Sequence, residues 1–164
     1  HGFDSEGAKY DSDGRLRNWW TVADNMAFKD KQKLLIQCFN TLEYDPLNYP
    51  SKFGDGERTL TENIADLGGF MITLDAYLKR LDEQGFTGEN RTAQIKKFYE
   101  AFAHIWCAKY SPEKLQNIIT SDIHSHARLR TNGTVMNTDM WYDLYDVDRD
   151  NILYLPLERR TYIW

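Results

Sequence analysis

Glu62 and Asp66 are two carboxylates spaced four residues apart within a strongly periodic stretch of the sequence. Apolar residues recur there at steps of three and four, which predicts a helix from Thr61 to about Glu83 with one buried stripe. The stripe consists of Ile64, Leu67, Met71, Leu74, Leu78 and Leu81. The spacing of the two carboxylates places them one turn apart, on the side of the helix opposite that stripe.

The side of this helix that carries Glu62 and Asp66 lacks the long charged side chains of a solvated face. As far as Arg80, its other members are small or apolar: Ala65, Gly69, Ile72, Thr73 and Ala76. We therefore expect another segment to pack closely over this side of the helix. Carboxylates in such a place need a partner, because an unpaired buried charge is very costly. The pattern predicts a cation, a histidine or a metal ion beside them.

A second interpretation of the same residues involves no chemistry. Thr59 and Glu62 have the spacing of a capping box, in which the glutamate side chain folds back onto the start of the helix. Asp66 would then be an ordinary solvated residue in an early helical turn.

Composition excludes several other classes of function. The chain has 164 residues, enough for one domain with a real core, and its net charge of −5 disfavours nucleic acid or an anionic membrane as a partner. No apolar run approaches the roughly 20 residues of a membrane span. Cys38 and Cys107 lie within helical apolar patterns, so we expect two buried thiols.

Periodicity and turn signals predict a mainly α chain with at most a short hairpin near its start. Asp11 to Gly14 has the composition of a tight turn, Asn132-Gly133 is a second turn signal, and the stretch 43–57 is predicted to be a loop or crossover. The apolar tail 152–164 is expected to dock rather than hang free. The other predicted helices are 21–42, 92–109, one beginning at Ser111-Pro112 and ending near Asp122, and 138–145.

Several short motifs occur in order from one end of the chain to the other. They include His1-Gly-Phe-Asp4, Arg17-Asn-Trp-Trp20, Glu62-Asn-Ile-Ala-Asp66, Ala103-His-Ile-Trp-Cys107, Asp122-Ile-His-Ser125 and Arg130-Thr-Asn-Gly133. With these motifs the chain resembles the C-terminal part of the neprilysin-like zinc metallopeptidases, a gluzincin family that includes the endothelin-converting enzymes and bacterial oligopeptidases. In that family Gly-Phe-Asp follows the zinc motif His-Glu-x-x-His, so His1 matches the second histidine of the motif.

The resemblance implies a role for each matching residue. His1 and Glu62 would be zinc ligands, and Asp4 and Asp66 would orient ligating imidazoles. The remaining matches concern the substrate: His124, with Asp122 as its partner, would stabilise the oxyanion, Arg130 would hold a backbone carbonyl, and Ile105 and Trp106 would line the pocket for a hydrophobic residue. The alternatives are helix core for Ile105 and Trp106, and a surface ion pair of little energetic value for Arg130.

The implied function is a zinc endopeptidase that cleaves small peptides on the amino side of hydrophobic residues. The first zinc histidine and the catalytic glutamate would precede His1, so residues 1–164 would be a C-terminal fragment of a larger catalytic domain. We expect this chain alone to be inactive and to bind zinc weakly, with the N-terminal part of the same enzyme and the peptide substrate as its partners. The resemblance also implies free cysteines, a bacterial source and a location outside the cytoplasm.

Two other functions remain open at this point. One is a non-catalytic peptide-binding or interaction module that keeps the fold without a working metal site. The other is a calcium-binding helical domain, because Asp146 to Asn151 begins like a calcium loop, although Asn151 stands where the turn needs glycine.

Overall fold

The chain is mainly α-helical, as its periodicity predicts. The computed structural model describes residues 1–46 and 49–163, without the side chain of Tyr49. In that part of the chain the helices are α1 (Val22–Asn40), α2 (Leu60–Glu83), α3 (Gly88–Ile105), α4 (Pro112–Thr120), α5 (Ala127–Val135) and α6 (Asp139–Tyr145). Two short strands, β1 (Glu43–Asp45) and β2 (Tyr49–Phe53), pair antiparallel, and 3-10 turns occupy Gly7–Lys9 and Leu157–Arg159.

Helix α2 lies at the centre of the molecule and belongs to both hydrophobic clusters. Its first half, through Ile64 and Leu67, packs with Leu35 and Phe39 of α1 and with Leu129 of α5. Its second half packs with α3 in a cluster that contains Phe70, Leu74, Leu81, Ile95 and Tyr99. Four members of the predicted stripe, Met71, Leu74, Leu78 and Leu81, join this second cluster. The apolar side of α2 is thus packed in the two clusters. The opposite side, which carries Glu62 and Asp66, therefore faces away from them.

The turn predicted at Asn132-Gly133 is wrong, because both residues lie inside α5. A β-carbon at Gly133 would overlap the ring of Phe39, so the glycine is needed for close packing of α5 against α1. The local composition indicates a turn, whereas a tertiary contact accounts for the glycine.

The hairpin lies at residues 43–53 rather than near the start of the chain. Glu43 pairs with Phe53 and Asp45 with Tyr49, in the stretch that the sequence predicts to be a loop. Near the start only a single bridge joins Tyr10 and Leu16. It closes the predicted turn at Asp11 to Gly14, in which the Gly14 N–H donates to the Asp11 carbonyl.

Only one of the two cysteines is a buried thiol. Both are free, and burial raises the pKa of Cys38 to about 11. Cys107 follows the end of α3 and is exposed, so the expectation of two buried thiols is wrong for it. In the tail, Thr161 and Ile163 are buried, as expected of a docked segment, and Trp164 lies outside the described residues. No helix in the described part of the chain is both long and apolar enough to cross a membrane.

Gly133 and Gly69, two glycines inside helices, should respond in opposite directions to the same substitution. Gly133→Ala forces a methyl group into the Phe39 ring and should lower the free energy of unfolding by about 1–3 kcal/mol. Gly69→Ala is the matched control, because nothing lies within 4 Å of the position that its β-carbon would take. It should therefore raise the free energy of unfolding by up to about 1 kcal/mol through helix propensity. Urea unfolding measures the change in the free energy of unfolding for each variant. Equal changes would contradict the close packing of Gly133 against Phe39.

Candidate functional site

His1 is held in a fixed orientation by the buried carboxylate of Asp4. The imidazole Nδ1 donates to Asp4 Oδ2 over 2.5 Å. The other Asp4 oxygen accepts the backbone N–H groups of Glu6 and Gly7 at 2.8 and 2.7 Å, so the first 3-10 turn supports the carboxylate in turn. With Nδ1 carrying the proton, Nε2 presents a lone pair. This Nε2 lies 3.6 Å from Glu62 Oε2.

A second imidazole approaches the same oxygen of Glu62. His124 Nε2 lies 3.4 Å from Glu62 Oε2, while its Nδ1 donates to Asp122 Oδ1 over 2.9 Å. Asp122 Oδ1 also accepts the backbone N–H of His124, and Lys114 Nζ lies 3.3 Å from Oδ2. These hydrogen bonds, the one from the His124 backbone first, lower the pKa of Asp122 to about 2. Asp122 is therefore ionised at neutral pH and holds the His124 ring by an accepting oxygen.

The donor set at Glu62 suits a zinc ion but is incomplete. Neutral imidazole nitrogen and carboxylate oxygen are both zinc ligands, and the nitrogen of His1 is oriented by a carboxylate as such ligands are. Within residues 1–46 and 49–163, however, no group of three or more His, Cys, Asp or Glu side chains is arranged to hold a metal ion. In a tetrahedral zinc site, His1 and Glu62 would each supply one ligand.

Asp66 and Arg130 form a two-pronged ion pair one turn further along α2. Arg130 Nε and Nη2 donate to the two Asp66 oxygens over 2.6 and 2.7 Å, and both side chains are largely buried. The guanidinium also stacks on Trp106, 3.8 Å from the ring centre. The alternative of a weak surface pair is thus wrong for Arg130. The role predicted for Asp66, orienting a ligating imidazole, stays a prediction, because in the described chain its oxygens serve Arg130.

A buried polar network ties the start of α2 to the loop that carries His124. Ser125 Oγ lies 2.8 Å from Asn63 Oδ1 and 2.9 Å from Thr59 Oγ1. Asn63 Nδ2 donates to Thr59 Oγ1, whose hydroxyl donates to the Asp55 carbonyl. Glu62 makes no capping bond to Thr59, so the capping-box alternative is wrong. Sequence reasoning did not find this network, although Asn63 and Ser125 lie inside two of the short motifs.

Ile105 and Trp106 lie at the end of α3, and they differ in exposure. Ile105 is 71% exposed, so the helix-core alternative is wrong for it. Trp106 is half-buried between Arg130 and the ring of Phe102. The two residues therefore leave an apolar edge open beside Arg130.

Comparison with known proteins gives one consistent result. A sequence model of peptidase family M13 matches residues 1–161. The chain is 34% identical to the neutral endopeptidase of Lactococcus lactis subsp. cremoris, over 100% of this chain and 24% of that protein. It is 30% identical to neprilysin of Mus musculus, over 100% of this chain and 22% of that protein.

The fold agrees with the sequence comparison. The inhibitor complex of the Mycobacterium tuberculosis zinc metalloprotease ZMP1 superimposes with a TM-score of 0.84 at 37% identity, covering 100% of this chain and 25% of ZMP1. PepO of Lactobacillus rhamnosis gives a TM-score of 0.77 at 31% identity, covering 98% of this chain and 23% of that structure. The chain thus spans about a quarter of the length of the relatives that it matches.

Asn63→Ala should destabilise the chain, because the change removes two buried hydrogen bonds, one with the Ser125 hydroxyl and one with Thr59 Oγ1. We expect the free energy of unfolding to fall by about 1–3 kcal/mol. Asn117→Ala is the matched control, because Asn117 also forms a hydrogen bond with a serine, Ser121, but this bond is exposed. Its effect should stay within about 0.5 kcal/mol. Urea unfolding of both variants measures these changes. Equal losses of the free energy of unfolding would show that the buried network stabilises the chain no more than an exposed hydrogen bond does.

Proposed function

This chain belongs to peptidase family M13, and we propose that it supplies part of the catalytic site of a zinc-dependent endopeptidase. The observation that carries the proposal is the convergence of His1 Nε2 and Glu62 Oε2, with Asp4 fixing the histidine ring. His1 and Glu62 would hold the zinc ion. Zinc, when bound, supplies a Lewis acid for the scissile carbonyl and lowers the pKa of a water molecule.

His124 is suited to stabilise the oxyanion that forms when the carbonyl is attacked. Asp122 accepts the Nδ1–H and thereby holds the His124 ring in one orientation. Nε2 faces the Glu62 oxygen, so an Nε2–H would lie beside the reacting carbonyl. A positioned donor of this kind is worth roughly 10²–10³ in kcat.

Arg130 is suited to hold the substrate backbone. Asp66 engages Nε and Nη2, and in the described chain Nη1 has no protein acceptor, so it can donate to a substrate carbonyl. Ile105 and Trp106 offer apolar surface beside it for a hydrophobic side chain. The proposal therefore includes cleavage of small peptides on the amino side of hydrophobic residues.

The proton acceptor for the attacking water is not among the site residues of this chain. We assign it, with the remaining zinc histidine, to a His-Glu-x-x segment on the amino side of His1, in the N-terminal part of the same enzyme. The 164-residue chain alone should then bind zinc weakly and hydrolyse no peptide. On the same resemblance we place the enzyme outside the cytoplasm.

Glu62→Gln tests the proposal in the longer polypeptide that includes the segment before His1. Loss of a charged zinc ligand should lower zinc affinity and kcat/KM for a peptide with a hydrophobic residue after the scissile bond, each by at least about 100-fold. Zinc titration by calorimetry and a peptide cleavage assay measure the two effects.

Glu89→Gln, the same substitution at an exposed position of α3, serves as the control and should change neither quantity. Unchanged zinc affinity in Glu62→Gln would remove Glu62 from the ligand set. Peptide binding without chelator-sensitive cleavage would instead favour the non-catalytic module.

A further inference from the structure

Helix α5 begins with a histidine, where helices usually have a small polar residue. His126 is the N-cap, and its Nδ1 accepts the backbone N–H of Arg128 over 3.1 Å. The usual residues at this position are serine, threonine, aspartate and asparagine, whose acceptor is an oxygen. A ring nitrogen accepts only when it carries no proton, so this cap exists only while the imidazole is neutral.

The His126 ring also contacts two segments that are distant from it in sequence. Between ring centres it lies 6.1 Å from Tyr44 of β1, edge to face, and 5.0 Å from Tyr110, in the segment between α3 and α4. Tyr44 belongs to the core, with 2% of its surface exposed. The two tyrosines therefore fix the direction of the imidazole, and with it the point at which α5 begins.

Two side chains of the candidate site flank His126 in sequence. His124 precedes it in the loop, and Arg130 follows it early in α5. The backbone N–H of Arg130 donates to the His126 carbonyl over 3.0 Å, so His126 holds this turn through both its side chain and its backbone. The His124 ring has a support of its own, because Asp122 accepts its Nδ1–H. Arg130 therefore depends more than His124 on how α5 begins.

We propose that His126 is a positioning residue for Arg130: its neutral imidazole holds the first turn of α5, so that Arg130 meets Asp66 and keeps Nη1 available for a substrate carbonyl. This inference rests on the proposed function of Arg130 and adds the group that places it. On protonation both ring nitrogens of His126 become donors, and the Arg128 N–H loses its acceptor. The new positive charge also lies at the positive end of the helix dipole. The first turn of α5 should then loosen, and substrate binding should weaken in acid.

The surroundings of His126 favour its neutral form. Burial lowers the pKa of His126 below its usual range, while Asp45 of β1 acts against this shift and Arg128 of α5 acts with it. The other titratable groups packed against the ring are the phenols of Tyr44 and Tyr110, which carry no charge in weak acid. The stabilisation by neutral His126 is complete above the pKa of a free histidine, about 6.5, and is lost as the pH falls from there through the lower pKa of the folded state.

Two variants separate the acceptor from the ring. His126→Asn keeps a side-chain acceptor that does not titrate, and His126→Phe keeps a ring between the tyrosines without an acceptor. In the 164-residue chain, NMR follows hydrogen exchange of the Arg130 Nε–H, which donates to Asp66. At about pH 7 this exchange should be at least about threefold faster in His126→Phe than in the parent chain, and unchanged in His126→Asn. His104→Phe, the same substitution at an exposed position of α3, is the control and should leave the rate unchanged.

Acid should reproduce the effect in the parent chain but not in His126→Asn. From about pH 7 to about pH 5, the ratio of the Arg130 Nε–H exchange rate in the parent chain to that in His126→Asn should rise at least about twofold. Comparing two proteins at the same pH cancels the intrinsic dependence of exchange on pH. A ratio that stays the same at both pH values, or an unchanged rate in His126→Phe, would overturn the proposal. The comparison of parent chain and His126→Asn decides the matter even if His126→Phe does not fold.

The longer polypeptide tests whether this positioning serves substrate binding. At about pH 7, His126→Phe should raise KM for the peptide at least about threefold while kcat stays within about twofold, because Arg130 binds the backbone and His124 keeps its own support. A loss in kcat with KM unchanged would overturn the role in substrate binding. If the longer polypeptide cleaves no peptide, the proposed function fails, while the exchange rates still decide whether His126 positions Arg130.

Discussion

The hydrogen bonds among Thr59, Asn63 and Ser125 are the constraint on which the geometry of the site depends. They join the start of α2 to the loop before α5, which are distant in sequence, and they are buried. Since buried polar groups are costly when unpaired, the network permits only one register between the two segments. Glu62 precedes Asn63 and His124 precedes Ser125, so this register brings the carboxylate and the imidazole together.

The carboxylates around the site differ in the hydrogen-bond donors and positive charge that the described chain places beside them. Asp4 receives two backbone N–H groups and an imidazole, and Asp66 receives the guanidinium of Arg130. Glu62 is buried, and the polar atoms placed beside it are two imidazole nitrogens, at 3.4 and 3.6 Å. A divalent cation beside this carboxylate would supply positive charge at the point where His1 already presents a nitrogen. Two separate arguments therefore concern Glu62. Its buried charge favours a nearby cation, and the family resemblance implies that it is a zinc ligand.

The sequence predicted α2 well because burial on one side and small residues on the other both follow the helical period. Prediction failed where a distant contact decided the outcome. Gly133 has the local signal of a turn, but it makes room for Phe39. Ile105 matches an apolar stripe, yet it lies at the last turn of α3 with most of its surface exposed. Periodicity locates a helix but does not show which of its residues another segment will cover. The sequence predicted a cation as one possible partner of Asp66 but did not identify Arg130, because that pairing depends on how α5 lies against α2.

X-ray absorption at the zinc edge, on the 164-residue chain with zinc kept below one equivalent, tests the central claim that His1 and Glu62 together bind the metal. The account predicts nitrogen and oxygen neighbours at about 2.0–2.1 Å, with the scattering of a single imidazole and a carboxylate contribution that disappears in Glu62→Gln. Two imidazoles would make His124 a ligand rather than an oxyanion donor. Sulfur at about 2.3 Å, or a spectrum unchanged in Glu62→Gln, would contradict the account.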